Sequence, residues 1–195
     1  MHIPSEKKCY QLMKKMKMMS HIVAHSHQVC SVSIFLVDQL TPVGVSLSRE
    51  LVQAAALLHD ITKTRSFKTK ENHALTGARF ISDLGYPEVG FIVRQHVKLD
   101  HYFVSKHLSE AEIVNYADKR VLHDNIVSLE ERMNYIATKY GKDKEGREYI
   151  YSLRDKTVRL ENRLFKYLSF TPAELSDLLS RRLTEENSEG VSLDN

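Results

Sequence analysis

Cysteine is scarce in this 195-residue chain: Cys9 and Cys30 are its two, and no CxxC pair occurs. A disulfide framework is therefore not expected, and two buried thiols in a reducing cytosol are. No apolar run approaches the roughly 20 residues that span a bilayer, and the N-terminus lacks the basic-then-apolar order of a signal peptide. The expectation is a soluble, cytoplasmic protein without a membrane partner. With 7 Gly and 4 Pro, no interior stretch is rich enough in Gly, Ser or Pro to divide domains. Neither a repeat nor a convincing strand pattern is present. The formal charge of +3 is too small to imply a nucleic-acid partner, and no long basic stripe interleaves with aromatics. Histidine, abundant at 10 residues, stops after His123. The C-terminal third is thus expected to contribute scaffold rather than ligands.

What remains is helical periodicity throughout, so the chain is expected to be an all-α, single-domain bundle of six to nine helices. Its core should lie at 18–122, a helical extension at 128–184, and a polar, disordered tail at 185–195. Ser5 and Glu6 start a first helix whose Cys9, Leu12, Met13, Met16 and Met19 form a stripe opposite Lys7, Lys8, Lys14, Lys15 and Lys17. A core-facing stripe with a solvated face is expected there, rather than a membrane or partner surface. A second helix over about 21–40 carries His25. Ser46 or Ser48 caps a third that ends in His59-Asp60. Residues 62–71 are polar, basic and aperiodic, and are expected to form a surface loop. Asn72 caps a helix from His73 to about Leu84 that Gly85 ends, and Pro87 opens another that reaches His96. Ser109 and Glu112 form a capping box for the helix of Asp118, which is expected to run through Val121.

The candidate chemistry centres on the stretch Ala54 to Lys63, where an apolar helical run ends in His59-Asp60. Imidazole and carboxylate are ligands of divalent metals, and a carboxylate can bridge two. Alone the dipeptide also reads as an ordinary helix end, with His favouring the dipole and Asp starting a turn. His25, His73, His96 and Asp118, however, each lie among apolar residues at helical spacing, on or beside buried faces where polar groups need partners. Lys63, Arg65, Lys68 and Lys70 follow closely, where cations could hold a phosphorylated substrate.

His25-Ser26-His27-Gln28-Val29, Leu58-His59-Asp60-Ile61-Thr62-Lys63 and Ala117-Asp118 together resemble the HD superfamily of metal-dependent phosphohydrolases. His73-Ala74-Leu75-Thr76-Gly77-Ala78 and Arg94-Gln95-His96 look like the added histidines of its dinuclear members, similar to the YqeK-type branch. The resemblance implies that His25, His59, Asp60 and Asp118 bind one metal and that Asp60 bridges to a second held by His73 and His96. One or two divalent ions, Fe, Mn, Co, Ni or Mg, would be the cofactor, and Asp60 and Lys63 would serve catalysis, Lys63 by steadying phosphate. Thr62 departs from the usual Gly of the motif. The implied activity is hydrolysis of a phosphoester or phosphoanhydride in a small phosphorylated substrate, with a nucleotide favoured over nucleic acid, by a metal-activated hydroxide. A non-catalytic module sensing a nucleotide or metal through the same pocket is the alternative. Oligomeric state is left open.

Overall fold

The computed structural model describes residues 1–103 and 105–191, so four residues of the expected tail, 192–195, lie outside the described residues. Ten α-helices occur among the described residues, with two short 3-10 turns and one two-stranded hairpin. They run α1 Glu6–Lys15, α2 Ser20–Leu40, α3 Arg49–Leu58, α4 Lys63–Thr69 and α5 His73–Asp83. Then follow α6 Pro87–Gln95, α7 Glu110–Asp118, the strands β1 Val121–Leu122 and β2 Asn125–Ile126, α8 Leu129–Tyr140, α9 Lys144–Phe165 and α10 Leu175–Val191. None of these helices is long and apolar enough to cross a membrane.

Local chemistry accounts for the boundaries. Ser5, Ser48, Asn72 and Ser109 each accept a backbone N–H in the first turn of the helix they open, and Ser109 with Glu112 closes a reciprocal capping box. Pro42 and Gly44, the latter at φ 85°, end the run of α2. Gly85, at φ 90°, turns the chain from α5 into α6.

α2 is the central element. It is buried along much of its length, from Ile22 to Leu40, because it packs against α3 on one side and α7 on another. α3 also meets α1 and α6, and α5 lies along α6. A single core cluster joins Cys9, Leu12 and Met13 of α1 to these helices and to Leu160, Leu164, Leu175 and Leu179 of α9 and α10. Both cysteines are free, and burial pushes each thiol up to about 12. Cys9, Leu12 and Met13 of the α1 stripe therefore face the core with Met16 packed at its edge, whereas Met19, expected in the same stripe, lies beyond α1 and is exposed.

Three segments differ from expectation. α10 runs to Val191, seven residues into the stretch 185–195 expected as a disordered tail. Residues 63–69 form α4 rather than a loop. None of its residues is buried, so the segment leaves no apolar period in the sequence; it is held by Ser66 Oγ donating to Lys63 O and ends at Lys70 in the left-handed region. The helix of Asp118 stops there instead of continuing through Val121. Val121 and Ile126, five apart, are cross-strand partners in the β1–β2 hairpin, which turns at His123, φ 57°.

Arg120, just beyond α7, fastens the C-terminal helices to the core. Its guanidinium donates to Val127 O (2.8 Å), Tyr116 Oη (2.6 Å), Glu161 Oε2 of α9 (3.2 Å) and Pro172 O (2.8 Å). Arg120→Ala leaves Glu161 and Tyr116 without their cation and should destabilise the fold by roughly 3–5 kcal/mol in urea unfolding. At the α5–α6 contact a Cβ on Gly90 would stand 2.7 Å from the Ala78 carbonyl oxygen. Gly90→Ala must push the two helices apart, and a loss of about 1–3 kcal/mol is expected by the same measurement.

Candidate metal centre

The cluster is built where helices end. His59 is the residue that closes α3, His96 closes α6, Asp118 is the last residue of α7, and His73 is the first of α5. His25 reaches the same point from the first part of α2. His25, His59, Asp60, His96 and Asp118 are buried, while His73 keeps a quarter of its side chain in contact with solvent.

The helix ends also aim the rings. The last carbonyls of a helix have no partner within it. His59 Nδ1 donates to Ala56 O at 2.7 Å, and His96 Nδ1 donates to Val93 O at 2.7 Å, so each ring caps the helix that carries it. His25 Nδ1 donates to His123 O of the hairpin turn at 2.8 Å. Since a carbonyl can only accept, the Nδ1 proton is fixed on all three rings and Nε2 is the atom presented inward.

Asp60 stands between two groups of these nitrogens. Its Oδ2 lies 3.4 Å from His59 Nε2 and 2.6 Å from Lys63 Nζ, and its Oδ1 lies 3.2 Å from His73 Nε2 and 3.5 Å from His96 Nε2. Asp118 Oδ1 lies 3.1 Å from His25 Nε2 and 3.8 Å from His59 Nε2. Ligand atoms of His25, His59 and Asp60 fall within 4.8 Å of one another, as do those of Asp60, His73 and His96. All six residues singled out in the sequence as ligands are thus brought together. Lys63, singled out for phosphate, lies against Asp60. His101 is exposed and stands outside both groups.

Electrostatics fit a cation site. Burial acts to raise the Asp60 carboxyl, but His59 and Lys63 beside it hold it well below the usual carboxylate range. Burial likewise opposes ionisation of Asp118, and Lys119, His25 and Arg132 overcome it. Burial pushes His96 down to about 4, so its imidazole is neutral, the form that ligates metals. Despite burial, Asp60 and Asp118 raise His59 above its ordinary value. Among the described residues, His59 Nε2 and Asp60 Oδ1 are buried without a hydrogen-bond partner. Such atoms need a counter-group, and a divalent ion shared by nitrogen and oxygen donors supplies it.

Some contributors were not singled out in the sequence. Lys119 is buried, donating to Asp118 Oδ2 at 3.2 Å and to His96 O. Its place next to Asp118 was the available signal. Asn115 Nδ2 donates to Gln95 O (2.8 Å) and His96 O (2.9 Å), tying the end of α6 to α7. Arg132, on α8, brings a guanidinium Nη2 to 3.7 Å from Asp118 Oδ1. The C-terminal third was expected to be scaffold alone, and no local pattern around Arg132 marks it. Thr62, the departure from the HD motif, is fully buried and donates to His73 O at 2.8 Å. A glycine there could not hold the start of α5 in that way.

The family model described as HD domain matches residues 10–121. A tRNA (cytidine(56)-2'-O)-methyltransferase of Picrophilus torridus is 28% identical to the chain over 147 residues, covering 68% of the chain and 41% of that protein. The chain thus spans about two fifths of that relative's length. No solved structure matches. Because the family match covers more than half of the sequence and contains all six clustered His and Asp residues, the chain belongs to the HD domain family.

Proposed function

We propose that the chain is a metal-dependent phosphohydrolase that cleaves a phosphoester or phosphoanhydride, with a nucleotide as the favoured substrate. The observation that carries this reading is the position of Asp60, whose two oxygens face two separate sets of imidazole nitrogens. His25, His59, Asp118 and Asp60 would hold one divalent ion, and Asp60, His73 and His96 a second. Iron, manganese, cobalt or nickel suits the imidazole-carboxylate donors, and magnesium, which prefers oxygen ligands, suits them less. Ions bound there lower the pKa of water toward neutrality and screen phosphate oxygens.

The protein's own groups carry the rest. The Nδ1 bonds to Ala56, Val93 and His123 keep the three rings from turning, so the donor atoms are placed before any ligand arrives. Lys63, whose ammonium Asp60 and Asp118 keep protonated against burial, would swing from Asp60 to a phosphate oxygen as a point charge. Lys119 neutralises Asp118 at 3.2 Å, with the Arg132 guanidinium farther off at 3.7 Å. In the reaction, water's oxygen forms a bond to phosphorus, the bond from phosphorus to the leaving oxygen breaks, and that oxygen takes up a proton. The methyl transfer in the Picrophilus torridus relative's name belongs to a protein of which this chain matches a minor part.

Metal analysis of anaerobically purified protein should find close to two ions per chain. Hydrolysis of a general phosphomonoester and a nucleotide panel, supplied with Mn, Fe, Co or Ni, should fall by a factor on the order of 10³ in Asp60→Ala. One ion per chain with turnover would remove His73 and His96 from the ligand set. Bound metal without turnover on any phosphate would favour the sensing module, and no metal would refute the site. Chelation should lower the melting temperature of the native protein by several degrees or more, since a ligand that binds the folded state stabilises it. Returning the ion should restore it, and Asp60→Ala should show no such shift.

A further inference from the structure

Helix α8 lies beyond the matched residues 10–121, yet one of its faces adjoins the metal centre. Arg132, Tyr135 and Lys139 are three and four residues apart and so share that face. The strip begins at Asp118, where Arg132 Nε donates to the backbone oxygen at 3.4 Å and Nη2 stands 3.7 Å from Oδ1. It continues along the ring of Tyr135, with the Arg132 guanidinium carbon 5.8 Å from the ring centre. It ends at Lys139, whose Nζ lies 5.3 Å from the same ring centre and donates to Tyr135 Oη at 3.0 Å. The Tyr135 ring also meets the His123 ring, centres 5.7 Å apart, and His123 is the residue whose carbonyl orients His25.

The charges on this strip exceed what the protein itself neutralises. Asp118 already has His25 at 3.1 Å and Lys119 at 3.2 Å, so the Arg132 contact at 3.7 Å is long for a hydrogen bond. Among the described residues Lys139 has a phenol for its partner and no carboxylate within ion-pair distance. Lys63 repels it, while the Tyr135 hydroxyl is the main influence holding its ammonium up. Three cations are therefore arrayed from the centre along α8, Lys63 against Asp60, Arg132 beside Asp118 and Lys139 on Tyr135, and divalent ions would neutralise the carboxylates that now hold the first two.

We propose that the Arg132, Tyr135 and Lys139 face of α8 is a second phosphate subsite, so that the ligand of this centre is a chain of at least two linked phosphates. One phosphate sits at the metal ions beside Lys63, and the next lies on the Arg132 fork and the Lys139 ammonium. Tyr135 is engaged by Arg132, Lys139 and His123 at once, which makes it a strut that holds the cations rather than a platform for a base. This deepens the hydrolase reading, on which it rests, by placing phosphoanhydrides ahead of simple monoesters.

The test is titration calorimetry at fixed ionic strength, with inorganic tripolyphosphate and orthophosphate as probes and the metal content measured before and after. The native protein should bind tripolyphosphate about tenfold more tightly than orthophosphate. In Lys139→Gln that preference should shrink by roughly three- to tenfold, with an unchanged thermal melt as the folding control. Tyr135→Phe, which keeps the ring and removes the hydroxyl, should give a smaller loss in the same direction. Equal affinity of the native protein for the two anions, or a preference that Lys139→Gln leaves intact, overturns the subsite. Asp60-dependent turnover alongside either of those results would leave the hydrolase standing without it. A Lys139-dependent preference in a protein that hydrolyses nothing would support the subsite and refute hydrolysis.

Discussion

Two carboxylates buried beside each other are the constraint on which this fold turns. Asp60 and Asp118 are both almost wholly removed from water, where an unpaired charge is prohibitively unfavourable. Lys63, Lys119 and Arg132 approach them from three different elements, and four imidazoles lie against one or both of them. The helices are arranged to make this possible. α3, α6 and α7 end at the cluster and α5 begins there, so the polar ends of four helices converge inside an otherwise apolar domain.

That convergence solves two problems with one set of bonds. Helix ends leave carbonyls unsatisfied, and a histidine ligand needs its second nitrogen occupied. His59 and His96 satisfy carbonyls one turn back in their own helices, which places the other nitrogen in the cluster. The small hairpin after α7 does the same for His25 through the carbonyl of His123. Arg120 then connects that hairpin, α7, α9 and the turn before α10.

The six clustered His and Asp residues were legible in the sequence because each interrupts an apolar helical pattern, where a polar side chain must be there for a reason. Helix starts at Ser5, Ser48, Asn72 and Ser109 were legible for a different reason, since caps are local chemistry. α4 was not, because a helix that buries none of its residues leaves no periodic trace. The hairpin was not, because strands of two residues each are too short to leave an alternating pattern. Arg132 was hidden more deeply. It comes from α8 to the backbone and carboxylate of Asp118, a tertiary contact with no signature in the residues around it.

The partners of the three oriented imidazoles are main-chain oxygens of Ala56, Val93 and His123, and this separates the centre from the identity of its neighbours. Where a carboxylate side chain orients a histidine, one nucleotide change in a codon can loosen the ligand. A peptide oxygen is present whatever side chain occupies the position. Selection can therefore rework the side chains at 56 and 93 for packing while the rings of His59 and His96 keep their orientation.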